Sequence, residues 1–345
     1  MITKFRNLMG ALQPRIPRSL LSGDGWERLL GRVGNLPESI AANLCGFELK
    51  LDDPAPAADF SVAVTPGPVA RHFLSNSNVA TNSFEGWLAT YLGNWSKPDD
   101  WIMLAYDIID VPEGQQVLPT VYLRNEVASM TDETALHLNQ LSQTLGGILG
   151  ETGNYEKRAL ARIFAALPPT AKVVFAAATP QRMPRSVRLV VSALAMPQLE
   201  QFLTRLEWPG SIPTIMHMLS EMRQVSERFM IACDVNEHGI LPRLGFEMYP
   251  TTAPAINDYD LLSTWLTTKR TDWCRLIDHL VDMNLCLREK SEGLLSWPKS
   301  MNVYGKAGAY RLYMGINHVK LVLDGERLRA KAYVGMKCQR FIDPN

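Results

Sequence analysis

The sequence has little cysteine and no excess of charge of either sign. Its 345 residues include 5 cysteines, and 35 Lys+Arg stand against 35 Asp+Glu, so the formal net charge is zero. Neutrality removes any chain-wide reason to expect nucleic acid or an anionic membrane surface as a partner. It does not say where the charges sit. Cys45, Cys233, Cys274, Cys286 and Cys338 are scattered, odd in number and form no Cys-x-x-Cys. That pattern argues against a disulfide framework and against a zinc site, and a reduced, cytoplasmic compartment is its simplest setting. The opening Met1-Ile2-Thr3-Lys4-Phe5-Arg6 lacks the apolar run of a signal peptide. No stretch reaches about 18 uninterrupted apolar residues, so no membrane span is expected.

Common catalytic signatures are also missing. There is no Gly-x-x-x-x-Gly-Lys-Ser/Thr loop, no strand followed by Gly-x-Gly-x-x-Gly, no His-Glu-x-x-His and no Gly-x-Ser-x-Gly. The 6 histidines show no ligand spacing. Asp52-Asp53 and Asp99-Asp100 are each followed by residues that break an Asp-Asp-x-x-Asp motif, and they suit turns or strand starts. Function therefore has to come from architecture.

What is present is ordinary globular text, 46% hydrophobic and 20% charged, in which the apolar period switches between two and 3.6. Residues 1–44 form a helical extension, with Ile2, Phe5, Leu8 and Met9 on one face and Trp26, Leu29, Leu30 and Val33 on another. Residues 45–345 form a single repeating domain. Strand pairs begin near residues 47, 101, 172, 228 and 311. Helical text follows the first pair over roughly 68–95. Helices built on Leu138–Ile148 and Leu160–Leu167 follow the second. Helices on Leu199–Leu206 and Ile215–Met222 follow the third, split by Pro209-Gly210-Ser211. A long helical region, 262–281, and a shorter one, 289–295, follow the fourth. The last pair turns at Asp324-Gly325, a good hairpin dipeptide. The unit is strand, strand, helix, helix. The expected fold class is α+β: a ten-stranded antiparallel β-barrel ringed by helices, because closure removes exposed edges.

Strand alternation sorts polar residues onto one parity. Arg243, Gly245, Glu247 and Tyr249 share a face, opposite Leu244, Phe246 and Met248. His318 with Lys320, Arg329 with Lys331 and Tyr333, Tyr122 with Arg124, Arg188 with Ser192, and Glu48 with Lys50 behave alike. Two arrangements produce this pattern: the wet side of an open sheet or sandwich, and a polar lumen.

The fivefold strand-strand-helix-helix order and the Lys331-Ala332-Tyr333 step resemble the ABBA prenyltransferase barrel of aromatic, indole and cyanobactin-type peptide prenyltransferases. The resemblance spans about residues 45–338. It implies transfer of an isoprenyl group from an allylic diphosphate to an aromatic small molecule or a peptide side chain. It also implies that Arg124, Arg188, Arg243, His318, Lys320 and Lys331 supply the diphosphate pocket, with Tyr122, Tyr249, Tyr333 and Glu247 beside them. Glu48, in Phe47-Glu48-Leu49-Lys50, matches the family's early-strand Glu, which orients the acceptor and takes its proton. Isoprenyl diphosphate is then a co-substrate, no cofactor is obligatory, and Mg2+ remains an option. Interior cations would be offset by acids outside the barrel.

Each assignment has a plain structural alternative. Lys331 and Tyr333 also suit an edge strand, Glu48 a solvated strand position, and Arg188 and Lys320 the outer face. Arg243 with Glu247 or Asp234 also makes a structural ion pair. A non-catalytic peptide-binding partner with the same barrel is the alternative function.

Overall fold

A computed structural model describes residues 4–36, 40, 44–65, 101–109, 118–127, 132–149, 155–181, 186–236, 238–251, 261–305 and 308–342. The segment expected to be helical at 68–95 lies outside them. The chain opens with helices α1 (Phe5–Leu12) and α2 (Asp24–Val33), then strands β1 (Cys45–Lys50), β2 (Ala58–Val64), β3 (Ile102–Tyr106) and β4 (Thr120–Val127). Helices α3 (Asp132–Leu149) and α4 (Tyr155–Ala166) lead to β5 (Lys172–Ala178) and β6 (Val187–Ser192). Next come α5 (Met196–Arg205), α6 (Ile212–Met222), β7 (Arg228–Asn236) and β8 (Gly239–Tyr249). The chain continues with α7 (Leu261–Thr267), α8 (Arg270–Asp282) and α9 (Arg288–Leu295), and ends with β9 (Lys299–Gly305), β10 (Gly308–Asp324) and β11 (Arg327–Ile342).

Successive strands pair antiparallel from β1 to β8, β8 pairs with β10, β10 with β11, and β11 returns to β1. The last pairing, Cys45↔Met336 through Lys50↔Lys331, closes a ten-stranded barrel. An eleventh strand, β9, was not expected. It lies on β10 at Gly308–Met314, upstream of the Val319–Leu323 stretch that β8 occupies. The long β10–β11 hairpin thus extends past the barrel wall. Its turn sits where expected: Asp324 pairs with Arg327, and Gly325 adopts φ +62° at the first loop position, where a side chain would be strained.

The alternation fixes the two faces of the wall. Phe47, Leu49, Phe60, Val62, Leu189, Val191, Leu244, Phe246, Ala332 and Val334 are buried in the layer between barrel and helices. The helices meet them with stripes at three- and four-residue spacing: Leu199, Phe202 and Leu203 of α5, Ile215, Met218, Leu219 and Met222 of α6, and Trp273, Leu276, Ile277 and Leu280 of α8. Each fully buried Leu, Ile or Phe contributes about 1.5–3 kcal/mol. Ser211 caps α6 by accepting from the Thr214 backbone N–H, and Pro213 fits the first turn, which is how Pro209-Gly210-Ser211 divides two helices. The first two helices join the same core. Phe5 of α1 lies 5.0 Å from Phe60, which lies 5.8 Å from Phe47, which in turn lies 5.7 Å from Trp297.

Trp265 of α7 packs on the wall where two glycines face each other, Gly315↔Gly335. A methyl group at either position would lie 2.1–2.4 Å from the indole, and the indole Nε1–H donates to Asn317 Oδ1 at 2.8 Å. Gly335→Ala is therefore expected to unseat Trp265 and cost about 1–3 kcal/mol. Urea unfolding with tryptophan emission measures both effects. An unchanged midpoint and spectrum would show that the indole does not need the bare strand.

Candidate functional site

The opposite parity of the strands faces the lumen, and the polar residues singled out in the sequence converge there. Glu48, Arg188, Asp234, Arg243, Lys320, Lys331 and Tyr333 line one cavity, with Ala232, Gly245 and Val322 filling its wall. These side chains come from β1, β6, β7, β8, β10 and β11. The plain alternatives to a polar lumen do not hold for them. Lys331 and Tyr333 sit on β11 between β1 and β10, so they are not on an edge. Arg188 and Lys320 are buried at 7% and 5% exposure, and the Glu48 side chain is largely enclosed.

The expectation that the balancing acids lie outside is overturned, because three interior cations are paired inside the lumen. Arg188 grips Asp234 with two parallel bonds, Nε to Oδ1 at 2.6 Å and Nη2 to Oδ2 at 2.8 Å, and Nη1 donates to Tyr122 Oη at 3.3 Å. Lys320 Nζ donates to Glu247 Oε1 at 3.2 Å. Lys331 Nζ donates to one Glu48 oxygen, and the Tyr333 hydroxyl donates to the other. The reason is dielectric: a charge in a lumen with so little room for water must meet an opposite charge at hydrogen-bond distance or cost several kcal/mol. Arg243 makes neither of the ion pairs the sequence suggested. It has no hydrogen bond or ion pair with any described residue, although it lines the same cavity. Arg124 shares the lumen parity with Tyr122, opposite Phe175.

Burial and pairing set the charge states. Burial opposes the Arg188 charge, but Asp234 and Tyr122 outweigh it and hold the guanidinium well above its ordinary range. Burial also opposes ionisation of Glu247, yet His318 and Lys320 keep its carboxyl below the usual value. Tyr333 is pushed up by burial and by the Glu48 charge, so it stays a donor. His318 is pushed down by burial, partly offset by Glu247. Burial thus favours the neutral imidazole, and His318 does not line the polar cavity as the resemblance implied.

The cavity between these pairs is tight, about 10 Å³, room for about one water. Larger ligands enter only if the side chains move. Gly245 is part of this fit, because a methyl group there would lie 2.3 Å from Lys320 Cε. Beside the cavity is an apolar pocket of about 310 Å³, lined by Trp101, Met103, Phe175, Met230, Tyr249 and His318, with Glu247, Asn317 and Lys337 among its polar edges. The two spaces share a wall. His318 stacks on Tyr333 with centroids 4.4 Å apart and planes 24° apart, and Tyr249 lies 5.8 Å from His318.

A further carboxyl was not singled out in the sequence. Asp59 faces Glu48 directly across β1–β2 and is buried. Its Oδ1 accepts from the backbone N–H groups of Ile108 and Ile109 at 2.6 and 2.9 Å. Burial and the Glu48 charge push its pKa up to about 7. The alternation Asp59, Ser61, Ala63 on β2 carries the signal, but it is weak, with one polar charge in a short strand. Among the described residues no group of three or more His, Cys, Asp or Glu has the arrangement of a metal site, the five cysteines are free, and no helix is long and apolar enough to cross a membrane.

No family model and no curated protein matches the chain. It is similar to the solved structure of a 6-dimethylallyl tryptophan synthase, with 12% identity and a TM-score of 0.49 over 96% of this chain and 94% of the other. It is also similar to AnaPT from Neosartorya fischeri, with 13% identity and a TM-score of 0.47 over 91% of this chain and 80% of the other. Likeness at that level gives no residue a role, so the chemistry rests on the lumen itself.

Two outcomes follow from that geometry. Asp234→Ala leaves Arg188 buried without a counter-charge and is expected to cost about 3–5 kcal/mol in urea unfolding, most of it recovered in Asp234→Ala with Arg188→Met. A single-variant loss below the range of exposed pairs would show that water reaches the site. Asp59 supplies a pH signature. Its folded value, about 7, lies above its ordinary 3.8, so the native state holds this proton more tightly. The contribution of Asp59 is full below pH 3.8 and falls as pH rises toward about 7, by up to about 1.4 kcal/mol per pH unit. Asp59→Asn keeps the acceptor for the Ile108 and Ile109 N–H groups and lacks the titration. Its stability relative to the wild type is expected to climb across that window, and a difference flat in pH would refute the assignment.

Proposed function

We propose that the chain transfers an isoprenyl group from an allylic diphosphate to an aromatic small molecule or a peptide side chain. One observation carries this: a cavity lined by four cations (Arg188, Arg243, Lys320, Lys331) and two carboxylates (Glu48, Asp234) shares an aromatic wall with an apolar pocket. A molecule with an anionic head and an apolar body matches that pair of spaces in charge and polarity, and its head enters the tight polar cavity once the side chains there move aside. The head meets an excess of positive charge, which stabilises a diphosphate both as ligand and as leaving group. The body meets aromatic rings. Tyr333, Tyr249 and Phe175 can face an allylic cation, each contributing roughly 1–2 kcal/mol once desolvated. The apolar lining offers few partners to a quenching water. The isoprenyl diphosphate is a co-substrate, the protein cations do the neutralising, and Mg2+ would act as an escort of the diphosphate.

The ion pairs favour a second reading, a non-catalytic peptide-binding partner on the same barrel. Three of the four cations are already satisfied, so an anion has to compete with carboxylates for them. Calorimetry with dimethylallyl, geranyl and farnesyl diphosphates, followed by product analysis with tryptophan, tyrosine and a tryptophan-containing peptide, separates the two. Binding and a prenylated product are expected. Arg243→Gln, which breaks no pair, is expected to weaken diphosphate binding roughly tenfold to a hundredfold without lowering stability. Absence of diphosphate binding in the wild type would overturn the transfer reading and leave the second.

A further inference from the structure

The proton released at the acceptor needs a base, and the resemblance assigns that role to Glu48. The geometry argues against it. Both Glu48 oxygens are engaged, one by the Lys331 ammonium and one by the Tyr333 hydroxyl. A carboxylate so held is a weak proton acceptor, because taking a proton forfeits a charge-assisted bond. His318 is in the opposite situation. Its Nε2 is buried and has no hydrogen-bond partner, an arrangement that costs free energy unless something else uses that atom. The residue lines the apolar pocket, its ring stacks on Tyr333, and an acceptor there reaches the enclosed Nε2 once the side chains around it shift. Glu247 Oε2 stands 3.9 Å from Nε2. That is too far for a hydrogen bond at rest and close enough to stabilise an imidazolium.

We propose that His318, not Glu48, is the catalytic base of the site, with Nε2 receiving the proton of an acceptor bound in the apolar pocket. This rests on the transfer reading. The allylic C–O bond breaks and the diphosphate leaves with its electron pair. An electron pair of the acceptor forms the new bond to the allylic carbon. The proton displaced from the acceptor passes to Nε2, and the imidazolium pairs with Glu247 until solvent takes the proton. No oxidant or reductant is needed. The charged and titratable groups around the imidazole are Glu247 and Tyr249 from β8, Lys320 on its own strand, Tyr333 and Lys337 from β11, and Glu48 from β1. Burial and Lys320 favour the neutral base, while Glu247 and Glu48 favour its protonated form.

The test is the pH–rate profile of the full chain with dimethylallyl diphosphate and whichever of tryptophan, tyrosine or a tryptophan-containing peptide the wild type turns over. The wild type is expected to lose rate on the acid side of neutrality as His318 is protonated. His318→Gln is expected to lower kcat roughly a hundredfold or more, to abolish that acid limb, and to leave diphosphate affinity within about twofold of wild type. His318→Gly, with room for added imidazole, is expected to regain activity when imidazole is supplied, which guards against a variant that is merely misfolded. Glu48→Gln is expected to slow the reaction while keeping the acid limb. An acid limb that survives in His318→Gln, or disappears in Glu48→Gln, overturns the inference and returns the base to Glu48. A wild type that binds no diphosphate fails at the earlier step and removes the transfer reading together with the base it requires.

Discussion

Closure of the sheet by β1 on β11 is the constraint from which the rest follows. Once Cys45–Lys50 pairs with Lys331–Met336, every second side chain of ten strands faces a shared interior. Charge placed there is largely cut off from water. Where it is deeply buried it persists in pairs, and the pairs form between residues that the register brings together, whereas the half-buried Arg243 stands without one among the described residues. Arg188 and Asp234 are direct cross-strand partners on β6 and β7, and Lys320 and Glu247 are direct partners on β10 and β8. Lys331 is one step diagonal from Glu48, which is itself opposite Tyr333. The ion pairs are thus consequences of register, and each also locks the register that made it, because a slip by one residue would send these charges into the helix-facing layer.

The same closure divides the interior. Gly245 lets the Lys320 stem cross the wall closely, so the polar cavity is packed down to about the volume of one water. Where β5 and β7 contribute Phe175 and Met230, the interior is apolar and wider. Between the two spaces stand Tyr333 and His318, stacked, one bonded to Glu48 and the other facing Glu247. A polar–apolar boundary with rigid aromatic faces is the feature that a bifunctional ligand would exploit, and it depends on strands from both ends of the chain meeting at β1 and β11.

Parity was legible in the sequence and pairing was not. Arg243, Gly245, Glu247 and Tyr249 do face one way because strand period is two and needs no partner to be known. The strand-strand-helix-helix order was legible for the same reason, since each segment carries its own period. Partners are long-range. Lys331 and Glu48 are 283 positions apart, and only closure joins them. Arg188 and Asp234 are 46 apart, on strands whose relative offset periodicity does not encode. The placement of the acids inside therefore escaped, as did Asp59, whose shift depends on sitting opposite Glu48. Strand β9 escaped because Lys299–Gly305 is short and mixed, and pairs only with the extension of β10 beyond the barrel.

The paired cations are not equally available to an incoming anion, and the difference follows from what each would leave behind. Arg188 holds Asp234 through two short, nearly parallel bonds, and parting them would break both charge-assisted bonds to a buried carboxylate. Lys320 leaves Glu247 with His318 3.9 Å away, whose imidazole is pushed toward its neutral form by burial. Lys331 leaves Glu48 still bonded to the Tyr333 hydroxyl and opposite Asp59, whose pKa of about 7 lets it carry a proton at neutral pH. Glu48 thus keeps one donor, and its neighbour Asp59 is partly protonated near neutral pH. Under the proposed function, a phosphate oxygen in the polar cavity would compete first for Arg243, which has nothing to give up among the described residues, and next for Lys331, because Glu48 would keep its Tyr333 bond. Arg188, held by two bonds to Asp234, would be the last of the three to be displaced.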